Sequence, residues 1–147
     1  MKNINVFIDK EYEQLNESLC KSIIEKILTH YKYTSYDVNV IFTSDIHLSD
    51  LKKEFFSKDQ WTDVIAFPLQ RDSKFIEGEI YISIPTAKEN ANTFKEPYKK
   101  ELGRLIIHGS LHLFHLLSHR LHCLVRHGVG VAPLKNLNVA SLRTLWV

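Results

Sequence analysis

Gly78-Glu79-Ile80-Tyr81-Ile82-Ser83-Ile84-Pro85 is the stretch on which the fold turns. Its first seven residues read as a β-strand. Pro85 then opens a helix through Asn92, because proline's missing N–H costs nothing at the first helical position. A strand passing directly into a helix sets the pattern, and the same interleaving recurs on both sides.

Upstream, Thr62-Asp63-Val64-Ile65-Ala66-Phe67 reads as a strand closed by Pro68, and its near-continuous apolar run predicts burial on both faces. A polar loop from Gln70 to Lys74 joins the two strands. Earlier still, Val38 to Thr43 forms a strand after a turn at Thr34, Ser35 and Asp37. Ser49 is placed to cap a short helix over Asp50 to Phe56. Asn3 to Ile8, rich in β-branched and aromatic residues, reads as the first strand. From Glu11 to about Tyr31, Leu15, Leu19, Ile23, Ile24, Ile27 and Leu28 recur every three or four positions, the mark of an amphipathic helix. Downstream of Asn92, a link over Thr93 to Glu96 leads to a helix that starts near Pro97 and carries Leu102, Leu105 and Ile106. Strands interleaved with helices predict α/β or α+β layers.

At 147 residues the chain is long enough for one domain with a core that needs no disulfides. Its two cysteines, Cys20 and Cys123, form no C-x-x-C pair, which argues against a thiolate metal knot and a disulfide scaffold. The amino terminus has no signal-like apolar run, and no eighteen uncharged apolar residues occur together, so a cytoplasmic protein without membrane contact is expected. The formal charge of +2 hides an asymmetry. All 17 acids lie at or before Glu101, whereas Leu102 to Val147 holds five Lys and Arg, six of the eight histidines and no acid. Either this region offers a basic surface to a polyanion, or it is a tail whose composition folding never shaped.

The chemistry-bearing residues begin inside that acid-free region. In Ile106-Ile-His-Gly-Ser-Leu-His-Leu-Phe114, His108 and His112 are four apart, which puts both imidazoles on one helical face among apolar neighbours, a setting that zinc favours. Histidines so spaced also line partly buried faces with only hydrogen bonds to satisfy them. An unbroken helix would place His108, His112, His115, His119 and His122 in one stripe within about 80° of arc. A straight rod cannot wrap three of them around one ion, since residues seven apart are ~10.5 Å apart in rise. Either the helix breaks after His112, so that a third ligand swings back, or the site is incomplete. Gly109 stands where an H-E-x-x-H peptidase carries its glutamate, which argues against proteolysis.

Three motifs in order, Lys58-Asp59-x-x-Thr62-Asp63-Val64-Ile65-x-Phe67-Pro68, Gly78-Glu79-Ile80-x-Ile82-Ser83 and His108-Gly109-x-Leu111-His112-Leu113, make residues 1 to 114 resemble the YbeY-type bacterial rRNA maturation endoribonucleases. The resemblance implies a central sheet of about four strands packed by helices, with a metal site on a carboxyl-terminal helix. It further implies one Zn2+ ion held by three histidines and cleavage of single-stranded RNA in maturation of the 16S 3′ end, acting on the small ribosomal subunit.

Beyond Phe114 the pattern departs. The family's H-G-x-L-H-L-x-G-Y-D-H motif puts its third ligand ten residues after the first, which is Ser118 here. His115 replaces the helix-breaking glycine, and His119 falls one residue late. His108, His112 and His119 are accordingly the expected ligands. Residues 1–119 are read as the hydrolase-like domain and 120–147 as an atypical basic tail, either a divergent variant or the product of a frameshift. Phe56 stands where relatives carry a phosphate-binding arginine, so Lys58 or Arg104 is left to contact RNA. Thr62 and Asp63 suit turn closure better than ligand contact, and Trp61 and Phe67 suit core packing better than base stacking. The competing functions are a non-catalytic rRNA-binding assembly factor and an inactive, altered family member.

Overall fold

The computed structural model describes residues 1–12, 15–56 and 62–114. In chain order the elements are β1 (Lys2–Ile8), α1 (Glu17–His30), β2 (Ser35–Thr43), α2 (Asp45–Phe56), β3 (Val64–Arg71), β4 (Phe75–Ser83), α3 (Ile84–Phe94) and α4 (Tyr98–Leu113). The fold is α+β. Its sheet has the order β1-β2-β4-β3, in which β1, β2 and β4 run parallel and β3 pairs antiparallel with β4.

Alternation along the strands sorts the two faces. Ile76, Gly78, Ile80 and Ile82 of β4 are buried on one face, as are Val38, Val40 and Phe42 of β2. Against them pack Ile23, Ile24, Ile27 and Leu28 of α1 and Leu105, Ile106 and Leu113 of α4, one contiguous core. Each such side chain contributes roughly 1.5–3 kcal/mol by leaving water. The opposite face is covered by α2, whose His47 ring lies edge-on to Tyr81 and whose Phe55 lies edge-on to Phe67. Cys20 is in the core, where burial and then the charge of Glu17 push its thiol up to about 12, so it stays protonated and unreactive near neutral pH.

Several boundaries differ from the sequence expectation, each for a local reason. α1 starts at Glu17 because the Asn16 side chain accepts a hydrogen bond from the Leu19 N–H and caps it there. Ser35 and Asp37 belong to β2, and the preceding turn passes through Lys32 at φ 62°. α2 begins at Asp45, where Ser44 accepts from the His47 N–H. Ser49, expected as its cap, sits buried inside the helix. α3 begins at Ile84 with Ser83 as its cap, accepting from the Thr86 N–H, so Pro85 comes one position later than expected.

The largest correction concerns β3. Pro68 does not close it: the strand runs on to Arg71 at the sheet edge, with Val64 and Ile65 buried on opposite faces and Pro68, Leu69 and Gln70 exposed. An edge strand tolerates a residue without an N–H, and the register shift between Pro68 and Gln70 breaks up the edge against further pairing. The expectations for residues 115–147, the boundary at 119 among them, lie outside the described residues.

Candidate functional site

α4 carries the site, and two glycines set how closely it lies on the sheet. A Cβ at Gly109 would stand 2.6 Å from Ile80 Cγ2 and 2.9 Å from Val64 Cγ2. One at Gly78 would meet the Leu113 side chain and come within 2.8 Å of the Phe67 carbonyl oxygen. Helix and sheet therefore touch through the absence of two side chains. Gly109 points into the sheet, so a glutamate there would be driven between Ile80 and Val64. That is a structural reason, beside the sequence one, why no peptidase base stands next to His108.

With Gly109 turned down, the stripe through Glu101, Arg104, His108 and His112 runs along one flank of α4 at helical spacing. His108 is buried at 2% exposure and His112 is half-buried. Their Nε2 atoms stand 3.1 Å apart, with ring centroids at 4.7 Å and ring planes inclined by 59°. Two uses of this geometry are open to neutral imidazoles: one Nε2–H donated to the other ring's lone pair, or both lone pairs turned to one cation. For Zn–N bonds of ~2.05 Å in a tetrahedral site the N···N separation is ~3.3 Å, so the pair fits two corners of a zinc site. Among the described residues, no group of three His, Cys, Asp or Glu side chains is placed to hold a metal ion. α4 ends at Leu113, with Phe114 as its C-cap donating to the Ser110 carbonyl. The helix thus ends one residue past His112. His119 and Lys58 lie outside the described residues.

Arg104 is one turn before His108, and its guanidinium is turned to carboxylates. Nη2 donates to Glu101 Oε1 at 2.6 Å and to Asp63 Oδ2 at 3.3 Å, and Nε donates to Glu101 Oε2 at 2.9 Å. Asn90 of α3 bridges the same two carboxylates, donating to Asp63 at 3.2 Å and to Glu101 at 3.1 Å. Glu101 is 3% exposed. Burial alone would lower the Arg104 pKa, but the hydrogen bonds and charge of Glu101, then those of Asp63, outweigh it and hold the group above its ordinary value.

Glu101 and Asn90 were not singled out in the sequence. The available signal was the spacing of Glu101, the chain's last acid, three residues before Arg104. Thr62 closes a turn by donating to the Val64 carbonyl, and Phe67 packs edge-on against Phe55 and Tyr81.

A mixed sheet clamped to a helix that bears two adjacent imidazoles one turn apart defines the class, an α+β protein. The endoribonuclease YbeY family model matches residues 3–129, and the chain belongs to this family. It is 33% identical over 114 residues to the endoribonuclease YbeY of Persephonella marina, covering 74% of each chain. With that of Cytophaga hutchinsonii it shares 34% over 116 residues, 77% of this chain and 81% of the relative. The solution structure of TM1509 from Thermotoga maritima superposes with a TM-score of 0.52 at 25% identity, covering 96% of this chain and 95% of that one. The family match runs past Phe114, where the motif reading departs. No helix among the described residues is long and apolar enough to cross a membrane.

Proposed function

We propose that this chain is a zinc-dependent, single-strand-specific endoribonuclease of the cytoplasm that acts on ribosomal RNA, in maturation of the 16S 3′ end and in quality control of the small ribosomal subunit. The observation that carries this reading is the 3.1 Å approach of the His108 and His112 Nε2 atoms in a chain of the YbeY family. One zinc ion would be held by His108, His112 and a third ligand from beyond Phe114, assigned to His119. A zinc ion there supplies Lewis acidity, lowering the pKa of a water towards ~7 and polarising a phosphoryl oxygen.

The chain's own residues do the rest. His108 is buried on α4, which limits water around its imidazole. The Gly109 contact sets how closely α4 lies on the sheet, and so the depth at which both rings sit. Lys58 is assigned to the RNA backbone. Residues 1–119 form the hydrolase unit in this reading, and 120–147 form a basic tail.

Metal analysis together with cleavage of single-stranded RNA, with and without chelator, tests the reading. One zinc per chain and chelator-sensitive cutting are expected. A second reading, a non-catalytic rRNA-binding factor, is favoured by one feature, the acid-free segment from Leu102 to Val147 with its five Lys and Arg. Metal-independent RNA binding that weakens steeply with salt, without cutting, would establish it instead. A chain that does neither is the inactive, altered family member.

A further inference from the structure

We infer that Arg104 is a positioning residue for the imidazole pair rather than a contact to RNA, working through the network it forms with Asp63, Glu101 and Asn90. This rests on the reading of His108 and His112 as ligands.

The first argument is charge. Two carboxylates and one guanidinium leave the cluster with a net charge of −1, and two of the guanidinium's nitrogens already donate to these carboxylates. A phosphate arriving there would meet an excess of negative charge and would have to displace a buried ion pair, since Glu101 is 3% exposed.

The second argument is placement. Asp63 directly precedes β3, Asn90 belongs to α3, and Glu101 and Arg104 sit on α4, so one hydrogen-bonded group ties α3 and α4 to the start of β3. Arg104 precedes His108 by one helical turn on the same flank. The backbone of this corner is joined as well, because the Ser83 N–H donates to the Asp63 carbonyl. Gly109 fixes the depth of α4 on the sheet. The network fixes its rotation, because a rolled α4 would pull Arg104 and Glu101 away from Asp63 and Asn90. An imidazole pair used as two corners of a metal site tolerates little rotation, and the nearest fixed point on its flank is Arg104.

Three variants of the full chain, Arg104→Lys, Asp63→Asn and Arg104→Ala, carry the test. Zinc affinity is measured by competition with a chromophoric chelator, and single-stranded RNA binding is measured over a series of salt concentrations. A positioning role predicts zinc affinity reduced about ten-fold in Arg104→Ala and partly recovered in Arg104→Lys, with the salt dependence of RNA binding unchanged. A phosphate contact predicts the reverse: zinc affinity intact and the slope of log affinity against log salt reduced by roughly 0.7, which would overturn the inference. Zinc affinity unchanged in a folded Arg104→Ala also overturns it.

Should Arg104→Ala fail to fold, Arg104→Lys and Asp63→Asn decide by the same two measurements. If the unaltered chain binds no zinc, the metal reading fails and positioning is judged separately from the imidazole NMR signals of His108 and His112 in the metal-free protein. Their displacement in Arg104→Lys and Asp63→Asn supports positioning, and unmoved signals refute it.

Discussion

The two ends of one flank of α4 both bring together side chains about one helical turn apart, but to different effect. At Glu101 and Arg104 each charged group is met by another from the chain itself, and the cluster is closed. One turn on, the Nε2 atoms of His108 and His112 stand 3.1 Å apart, and the helix ends at Leu113. Side chains three or four apart on a helix meet in these two cases, so spacing does not say whether a group is structural or chemical. What marks the first end is the partners brought in by other elements, since Asp63 and Asn90 both come to it.

The contrast breaks most severely at the closed end. Arg104→Ala strands Glu101 as a buried carboxylate with its cation gone, and is expected to cost about 3–5 kcal/mol in denaturant unfolding. Gly109→Ala comes next. Its methyl group would press on Ile80 and Val64, at a cost of about 1–3 kcal/mol, and would lift the helix that carries both ends. If it is neutral, the close approach of helix to sheet is not what holds α4. His112→Ala sharpens the comparison from the other side: the ring is half-buried, so stability should change by only about 1 kcal/mol while zinc binding disappears. The smallest effect belongs to Lys100→Ala. Its ion pair with Glu96 is 2.9 Å long but mostly in solvent, and its loss should move the unfolding free energy by no more than about 0.5 kcal/mol.

Much of this architecture was legible because it rests on local pattern. The stripe of Ile23, Ile24, Ile27 and Leu28 marked α1, and the β-branched runs marked β2 and β4. The edge position of β3 was not legible, since an apolar run such as Val64 to Phe67 reads alike in a central strand and in an edge strand half-covered by helices. Pro68 was the available hint, and it was read as a terminator instead of as a residue that an edge permits. The convergence of His108 and His112 followed from spacing alone. The engagement of Arg104 did not, because Asp63 is 41 residues away in sequence and reaches it only through the fold. The pairing of Gly78 with Leu113 and of Gly109 with Ile80 likewise depends on which strand lies beneath α4.

Zinc content of the purified full-length chain, set beside that of His112→Ala, is the most direct test of the central claim that the two imidazoles of α4 hold a metal ion. One equivalent per chain, lost in His112→Ala without loss of fold, is the predicted result. A well-folded chain that takes up no zinc, or one whose zinc persists when His112 is removed, would contradict it.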